Sequence, residues 1–229
     1  MDKILIVEDD LDINNLLKII LEKNSYSVKQ AFTGADGLTR LEENFDLVLL
    51  DLMMPVLSGE EMIKKMRSDS HNEPVIVITA KIDEETKNKV FEMGADDFIT
   101  KPFKEQDLLN RVKANIRRYK TFNDSYKDED QKILSHKSLK MLLNENRILI
   151  KGEELKATPI EYQILKTLLE NPNKIFSKEN LYKSAWQEDY FYEADTINVH
   201  ISNLRNKIKK IDDEEYIETV WAVGYRLKK

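Results

Sequence analysis

The sequence predicts two domains: a doubly wound α/β domain with a five-stranded parallel sheet, followed by a smaller α+β domain. Three observations predict this arrangement. The chain has 229 residues, which is more than a single domain usually contains. Short apolar runs alternate five times with segments of helical periodicity in the first half, and strands that are joined by helices pair in parallel. The second half instead combines short apolar–polar alternations with three helix-like segments.

The first domain is expected to span residues 1–119, and five apolar runs are its predicted strands. These runs are Lys3–Val7, Val28–Phe32, Asp46–Leu50, Val75–Thr79 and Phe98–Thr100. Ser58 and Glu61 have the spacing of a capping box, which predicts that the third helix begins there. Residues 120–131 are polar and charged with little periodicity, and this composition predicts a linker.

The second domain is expected to span residues 132–229. Residues 133–157 alternate and are broken by turn signals, which favours a small antiparallel sheet. Thr158, Pro159 and Glu161 form an N-terminal helix signal, with a cap, a proline and a capping acid. Two further helices are predicted at about residues 178–186 and 196–210, and residues 216–227 alternate around a glycine as a hairpin does.

Composition excludes several classes of protein. The longest apolar run, Val75–Ala80, is far shorter than the roughly 18 residues that a membrane span needs. The amino terminus lacks the basic region of a secretory signal, and the absence of cysteine fits a reducing cytoplasm. The net charge of −6 argues weakly against nucleic acid as a partner. Residues 121–229 hold 18 basic and 19 acidic side chains, so the second half of the chain is nearly neutral.

Five polar side chains follow four of the predicted strands, at the point where each strand ends. They are Glu8 and Asp9 after the first strand, Asp51 after the third, Thr79 at the end of the fourth and Lys101 after the fifth. Because the carboxyl ends of parallel strands meet at one edge of a sheet, we expect these side chains to converge. A lone Asp after a strand is more often a turn or capping residue, but the common position of the whole set favours a site. Asp10 and Asp12 are predicted to be charges at a helix N-terminus.

Three converging carboxylates repel one another unless a cation compensates, and their oxygen atoms suit Mg²⁺. A cation beside Asp51 would keep this carboxylate ionised and would screen an incoming phosphoryl group. The ammonium of Lys101 and the hydroxyl of Thr79 could then contact phosphoryl oxygens. The residues themselves therefore predict that Asp51 is phosphorylated.

Four segments in this order resemble the receiver domain of two-component response regulators: Val7–Asp10, Leu50–Pro55, Ile78–Ala80 and Gly94–Phe103. The resemblance covers residues 1–119. It implies that a sensor histidine kinase transfers a phosphoryl group to Asp51. It also implies that Mg²⁺ is held by Glu8 through water, by Asp9 and Asp51, and by the backbone carbonyl of Met53. It further implies a cis peptide at Lys101–Pro102 and a switch formed by Thr79 and Phe98.

An aspartate-nucleophile phosphohydrolase would use a similar fold and a similar nucleophile. Those enzymes carry a second Asp two residues after the first as a general acid. This chain has Met53 there, which cannot transfer a proton. We therefore expect a phosphoacceptor, with at most slow self-dephosphorylation, and not a turnover enzyme.

The third helix of the second domain has Ile197, Ile201, Leu204 and Ile208 at helical spacing, which predicts an inward stripe. We predict that the outward face presents hydrogen-bonding groups to base edges, with Arg205 and the lysines at phosphates, if the helix enters a major groove. This outward face comprises Val199, His200, Ser202, Asn203, Asn206 and Lys207. A solvated polar face is the alternative reading of this pattern.

Context favours DNA binding, because residues 132–229 resemble the winged-helix effector domain of OmpR/PhoB-type regulators. The resemblance lies in Leu155–Tyr162, Thr196–Ile201, Leu204–Arg205 and Thr219–Arg226. It implies that the helix beginning at Thr196 reads a major groove of double-stranded promoter DNA. The wing, with Trp221 and Tyr225, would approach the minor groove, and residues 187–194 would face RNA polymerase. A receiver with a protein-binding output is the alternative.

The positions of Ser202, Asn203 and Trp221 often hold arginine in relatives. With fewer cations we expect a shallower salt dependence of DNA binding. The resemblance also implies a homodimer, formed on phosphorylation through the fourth helix, fifth strand and fifth helix of the receiver. The predicted interface charges are Lys87, Glu92, Asp96, Asp97, Asp107, Arg111 and Lys113. Pairs of opposite sign would join two copies. Because residues 121–229 are nearly neutral, we expect a modest DNA affinity for a lone monomer. The pairing of two effector domains on adjacent half-sites would offset this weak affinity.

Overall fold

A computed structural model describes residues 1–69, 71–80, 84–124, 133–186 and 195–229. The chain forms two compact units, Met1–Tyr119 and Lys120–Lys229. Each unit is described by itself.

The first unit alternates strands and helices, as its apolar pattern predicts. Its elements are β1 (Lys3–Val7), α1 (Leu11–Lys23), β2 (Ser27–Ala31), α2 (Gly34–Arg40), β3 (Leu47–Asp51), α3 (Gly59–Ser68), β4 (Val75–Thr79), α4 (Glu84–Glu92), β5 (Asp97–Thr100) and α5 (Glu105–Asp124). The sheet is entirely parallel with strand order β2-β1-β3-β4-β5, which confirms the predicted doubly wound, flavodoxin-like α/β fold. Strand order reverses at β1 and β3, where such folds bind ligands.

Apolar side chains hold the helices on this sheet. On one face, Ile4, Ile6 and Leu49 pack with Leu17 of α1 and Val112 of α5, and all five are almost completely buried. Strands β3 and β4 are buried along their whole length, as expected for a sheet with both faces covered.

Close packing also fixes the start of α3 beside the end of β3. A Cβ atom at Gly59 would lie 2.2 Å from the carbonyl oxygen of Asp51, so only glycine allows this approach. Ser58 and Glu61 form the predicted capping box at this helix end. The carboxyl end of β3 is therefore held firmly against the first turn of α3.

Within residues 133–186 and 195–229, the second unit contains two antiparallel sheets and three helices. Its elements are β6 (Ile133–His136), β7 (Leu139–Leu142), β8 (Arg147–Ile150), β9 (Glu153–Glu154), α6 (Pro159–Glu170), α7 (Lys178–Trp186), α8 (Asp195–Lys209), β10 (Ile217–Val220) and β11 (Gly224–Leu227). Strands β6 to β9 form one sheet and β10 pairs with β11 in a hairpin. The capping box of Thr158 and Glu161 is present at α6, as predicted.

The hairpin is joined to the rest of the second unit by backbone hydrogen bonds. Phe176 and Tyr225 exchange a pair of N–H···O bonds of 2.8 and 2.9 Å. A Cβ atom at Gly224 would lie 1.9 Å from the carbonyl oxygen of Phe176, so glycine is required at this close contact. The second strand of the hairpin is thus fixed, next to the turn, to the segment that precedes α7.

The predicted linker differs from the structure at its beginning. Helix α5 continues to Asp124, so residues 120–124 are helical, and the rest of the predicted linker lies outside the described residues. Among the described residues, none of the helices combines the length and the apolar character that crossing a membrane requires.

Candidate functional site

An acidic pocket lies at the carboxyl edge of the parallel sheet. We use this name for Glu8, Asp9, Asp51, Thr79 and Lys101. Each of the three acids offers a carboxylate oxygen, and these oxygens all lie within 4.8 Å of one another. The sheet topology therefore brings Asp51 beside Glu8 and Asp9, which precede it by more than 40 residues, as the strand pattern predicts.

Lys101 partly neutralises this pocket. Its Nζ atom donates to Glu8 Oε2 at 2.7 Å and to Asp51 Oδ2 at 2.8 Å. Burial alone would lower the pKa of Lys101, but the hydrogen bonds to Asp51 and Glu8 together raise this pKa above its ordinary value. Lys101 is thus firmly protonated, and its charge partly offsets those of Glu8 and Asp51.

Glu8 shows the cost of this crowding. Its pKa is raised to about 7: burial raises this pKa most, the hydrogen bond from Lys101 lowers it, and the charge of Asp51 raises it. Additional positive charge beside this buried carboxyl group would favour its ionised form. The donor set therefore fits a hard divalent cation such as Mg²⁺, because carboxylate oxygens with space for water are its preferred ligands.

Asp51 is positioned by the backbone around it. Its side chain is buried, with Oδ1 accepting from the backbone N–H of Met53 at 3.1 Å and Oδ2 bound to Lys101. The side chain of Met53 points away into solvent and is 78% exposed. The position of a hydrolase's general acid is therefore occupied by a side chain that lies outside the pocket and transfers no proton.

Two further predicted site residues lie on β4 and β5. Thr79 is buried at the end of β4, and its carbonyl oxygen accepts from the backbone N–H of Lys101 at 2.8 Å. The ring of Phe98 is also buried and packs edge-on against Phe91, with ring centroids 5.8 Å apart. The predicted cis peptide at Lys101–Pro102 is present. Asp10 caps α1 by accepting from the backbone N–H groups of Asp12 and Ile13, as predicted.

Two of the predicted interface charges, Asp96 and Asp97, are not on the surface. Asp96 is 1% exposed and accepts from Arg67 at 3.0 Å and from the backbone N–H of Val75 at 2.9 Å. Arg67 also donates to the carbonyl oxygen of Gly94. The exposed position predicted for Asp96 is therefore wrong, because this carboxylate joins α3, β4 and the approach to β5 within one chain.

Asp97 is also buried, and its partners are in the same chain. It accepts from Arg111 and, at 3.3 Å, from Asn115, while Arg111 additionally donates to Asp107 at 3.3 Å. Glu92, Asp107 and Lys113 are exposed, as predicted. The side chain of Lys87 lies outside the described residues.

In the second unit, α8 packs against both α6 and α7 and buries a wide arc of its surface. His200 is 1% exposed, and its ring lies edge-on to Trp186 with centroids 5.3 Å apart. Thr196, Val199 and Asn203 are buried as well. The outward orientation predicted for Val199, His200 and Asn203 is therefore wrong, because a helix packed on two sides buries more than one apolar stripe.

Two cations of this helix are held by the protein itself. Arg205 donates to the carbonyl oxygen of Ile217 at 2.9 and 3.1 Å and to the hydroxyl of Thr219 at 3.0 Å. Lys207 contacts Glu161 at 2.6 Å. These contacts tie α8 to the hairpin and to the start of α6, so both cations already have a structural role.

The exposed stripe of α8 consists of Asn198, Ser202, Asn206 and Lys209. Asn198 is half-buried and the other three are exposed. Their spacing of four, four and three residues places them on one side of a helix. Asn198 and Lys209 were missed by the sequence reasoning. Helical spacing could have found them, because Asn198 lies four residues before Ser202 and Lys209 lies three residues after Asn206.

The hairpin places Tyr225 and Trp221 very differently. Tyr225 is buried and its hydroxyl donates to Asn198 Oδ1 at 2.7 Å. Trp221 lies at the tip of the hairpin and is 91% exposed. Residues 187–194, for which an RNA polymerase contact is predicted, lie outside the described residues.

The first unit is thus a parallel sheet whose acidic pocket can bind a cation. The second unit is a winged helix-turn-helix unit in which one side of α8 is exposed. This combination defines a receiver joined to a DNA-binding domain. Residues 4–113 match the family model of the response regulator receiver domain. Residues 152–227 match that of the transcriptional regulatory protein, C terminal.

Whole-chain relatives agree with these matches. The chain is 38% identical to the regulatory protein VanR of Enterococcus faecium over 231 residues, covering 100% of the chain and 99% of VanR. It is 37% identical to the transcriptional regulatory protein ResD of Bacillus subtilis, covering 99% of the chain and 95% of ResD. A solved structure of DrrB, an OmpR/PhoB homologue of Thermotoga maritima, is 32% identical over the full length of both chains, with a TM-score of 0.50. The chain belongs to the OmpR/PhoB family of response regulators and is a transcriptional response regulator.

Proposed function

We propose that Asp51 receives a phosphoryl group from a phosphohistidine of a sensor histidine kinase. A carboxylate oxygen of Asp51 attacks the phosphorus atom, the P–N bond breaks, and the electron pair stays on the histidine ring. The product is an aspartyl phosphate on Asp51. The observation that carries this proposal is the convergence of Asp51, Glu8 and Lys101 in one buried pocket.

Mg²⁺ would be held by Glu8 through water, by Asp9 and Asp51, and by the backbone carbonyl of Met53. When bound, it supplies positive charge that offsets the carboxylates and the phosphoryl oxygens. The Nζ atom of Lys101 donates to Asp51, and it would bind a phosphoryl oxygen after transfer. Thr79 would donate its hydroxyl to the phosphoryl group, and Phe98 would fill the space beside it.

Phosphorylation is tested by incubating the full chain with acetyl phosphate and Mg²⁺ and measuring the intact mass. We expect one added phosphoryl group in the wild type and none in Asp51→Asn. The control is Asp69→Asn, which removes an exposed carboxylate elsewhere in the receiver. An adduct that persists in Asp51→Asn would overturn the assignment of the phosphoacceptor. Continuous turnover of acetyl phosphate would favour the hydrolase alternative over a phosphoacceptor with slow self-dephosphorylation.

Phosphorylation would favour a homodimer through the face of α4, β5 and α5. The proposed charges are Lys87, Glu92, Asp97, Asp107, Arg111 and Lys113. Because Asp97 already binds Arg111 within one chain, dimerisation would exchange internal ion pairs for intermolecular ones. Such an exchange costs little in Coulomb energy and makes the dimer sensitive to small shifts of the switch residues.

The dimer is tested by sedimentation of the phosphorylated chain. Arg111→Glu should abolish phosphorylation-dependent dimerisation, because it places a carboxylate beside Asp97 and Asp107 in both the monomer and the dimer. Asp96→Asn is the contrasting variant. Because Asp96 is buried against Arg67, we expect the folded variant to dimerise normally. A dimer that survives Arg111→Glu would contradict the proposed face.

The second domain would bind promoter DNA with the exposed stripe of α8 in a major groove and the hairpin near the minor groove. Ser202 and Asn206 can bond base edges, and Lys209 can contact phosphate. A phosphate contact by Arg205 or Lys207 stays a prediction. Because promoter DNA is the proposed target, we expect the protein to act in the cytoplasm. Residues 187–194 would contact RNA polymerase. A mobility shift of genomic fragments by the full chain distinguishes this output from a purely protein-binding one.

A further inference from the structure

The hairpin tip presents an apolar surface to solvent. Trp221 is 91% exposed and Val223 is 53% exposed, and residues 219–225 contain no charged side chain. Trp221 and Val223 lie close together at the tip, and exposed apolar surface that is contiguous and uncharged is typical of a contact site.

This tip borders a groove of about 530 Å³ between the hairpin and the beginnings of α7 and α8. Trp221, Val223 and Tyr225 line one side, and Asn198 and Lys178 also line the groove. Lys178 supplies the cationic group of this lining, and Asn198 belongs to the exposed stripe of α8. The groove is therefore continuous with the proposed DNA-reading surface.

The hairpin holds the ring in a defined place. Ala222 has a φ of +58° in the turn, and Gly224 is packed against the backbone of Phe176. Arg205 bonds the backbone of Ile217 and the side chain of Thr219 on the opposite strand of the hairpin. An exposed ring on such a support loses little conformational freedom when it binds.

We infer that Trp221 contacts the sugar edge of a DNA strand, with its ring packed against deoxyribose and Lys178 at an adjacent phosphate. A sugar–phosphate strand matches the groove because it alternates an apolar ring with an anionic group. The contact by Trp221 carries no charge and releases no counterions. Its contribution to affinity is therefore independent of salt, in contrast to that of a cationic wing. This inference rests on the proposed binding of DNA by α8 and the hairpin.

The first test measures DNA affinity as a function of salt, with a duplex that the full chain selects from a random-sequence pool. Trp221→Ala should weaken binding roughly tenfold, as expected for the loss of an aromatic packing contact, at every salt concentration. The slope of log K against log salt should stay unchanged. Trp221→Arg should instead steepen this slope by about 0.9, the value for one added phosphate contact. Ile133→Ala, an exposed apolar residue of the other sheet, is the control and should bind as the wild type does.

The second test uses fluorescence, because the two tryptophans differ in exposure. Trp186 is buried, so acrylamide should quench mainly Trp221 in the free protein. DNA should protect Trp221 from acrylamide, and Trp221→Ala should abolish the DNA-dependent change. Protection that grows with protein concentration without DNA would mean that a second copy covers the ring, which overturns the inference.

These results separate this inference from the proposed function. If Asn206→Ala weakens binding but Trp221→Ala stays within twofold of the wild type, the sugar contact is wrong and reading by α8 stands. If the wild type selects no duplex, or Asn206→Ala binds normally, the proposed DNA surface itself fails.

Discussion

The acidic pocket of the receiver and the exposed stripe of α8 differ in what positions their residues. Strand topology fixes the pocket, because residues that end parallel strands must meet at one edge of the sheet. The stripe is instead defined by what remains uncovered after a helix has packed against its neighbours. The first kind of site can be found from strand ends alone, whereas the second depends on tertiary contacts.

The largest expected effect concerns the cation of the pocket. Lys101→Ala removes the ammonium that bonds both Glu8 and Asp51. We expect the rate of phosphoryl uptake from acetyl phosphate to fall at least about 100-fold, as for loss of a preorganised donor to developing charge. The rate is followed by intact mass over time at saturating Mg²⁺.

Lys104→Ala is the control for this change, because Lys104 is exposed just before α5. It should phosphorylate at the wild-type rate. Equal rates for Lys101→Ala and the wild type would show that Lys101 only balances the charge of the resting pocket. The topology argument would then locate a structural ion pair and not a reactive site.

The sequence predicted the pocket more accurately than the DNA-binding face. Glu8, Asp51 and Lys101 follow strands whose apolar runs are unmistakable, and a parallel sheet leaves no other place for them. His200 was misplaced because periodicity reveals the most apolar stripe but not the additional surface that a second neighbour covers. Asp96 was misplaced for a related reason, since its partner Arg67 lies 29 residues earlier and no local pattern pairs them.

The next prediction separates surface from core within α8. Asn206→Ala should leave stability unchanged and weaken DNA binding about tenfold, because an exposed polar contact to DNA is lost. His200→Ala should instead lower the free energy of unfolding by about 2–3 kcal/mol, because it leaves a cavity beside Trp186. Urea unfolding followed by tryptophan fluorescence and DNA titration of the folded protein measure the two effects separately.

The opposite result would support the outward orientation of His200 that periodicity predicts. If His200→Ala unfolded like the wild type but lost DNA affinity, the buried packing of His200 on Trp186 would not describe the free protein. Periodicity alone would then be sufficient to identify the DNA-binding face of α8, without knowledge of its packing.

The smallest expected difference is that between two copies of one motif, the capping box, in the two domains. Both capping boxes join a hydroxyl residue to a glutamate three positions later, but Glu61 is exposed whereas Glu161 is 1% exposed. Glu161 accepts from the backbone N–H of Thr158 at 2.8 Å and contacts Lys207. Glu161→Ala should cost about 2–3 kcal/mol, because it leaves a buried N–H group without an acceptor.

Glu61→Ala should cost less, because water can reach the N–H group of Ser58 that the carboxylate releases. Both tryptophans lie in the second domain, so fluorescence during urea unfolding reports Glu161→Ala, while circular dichroism also reports the receiver. Equal losses of unfolding free energy in the two variants would mean that the capping box alone determines the loss and that the burial of Glu161 adds little. A larger loss for Glu161→Ala would show that the same local signal gains its strength from the packing of α8, which periodicity alone does not reveal.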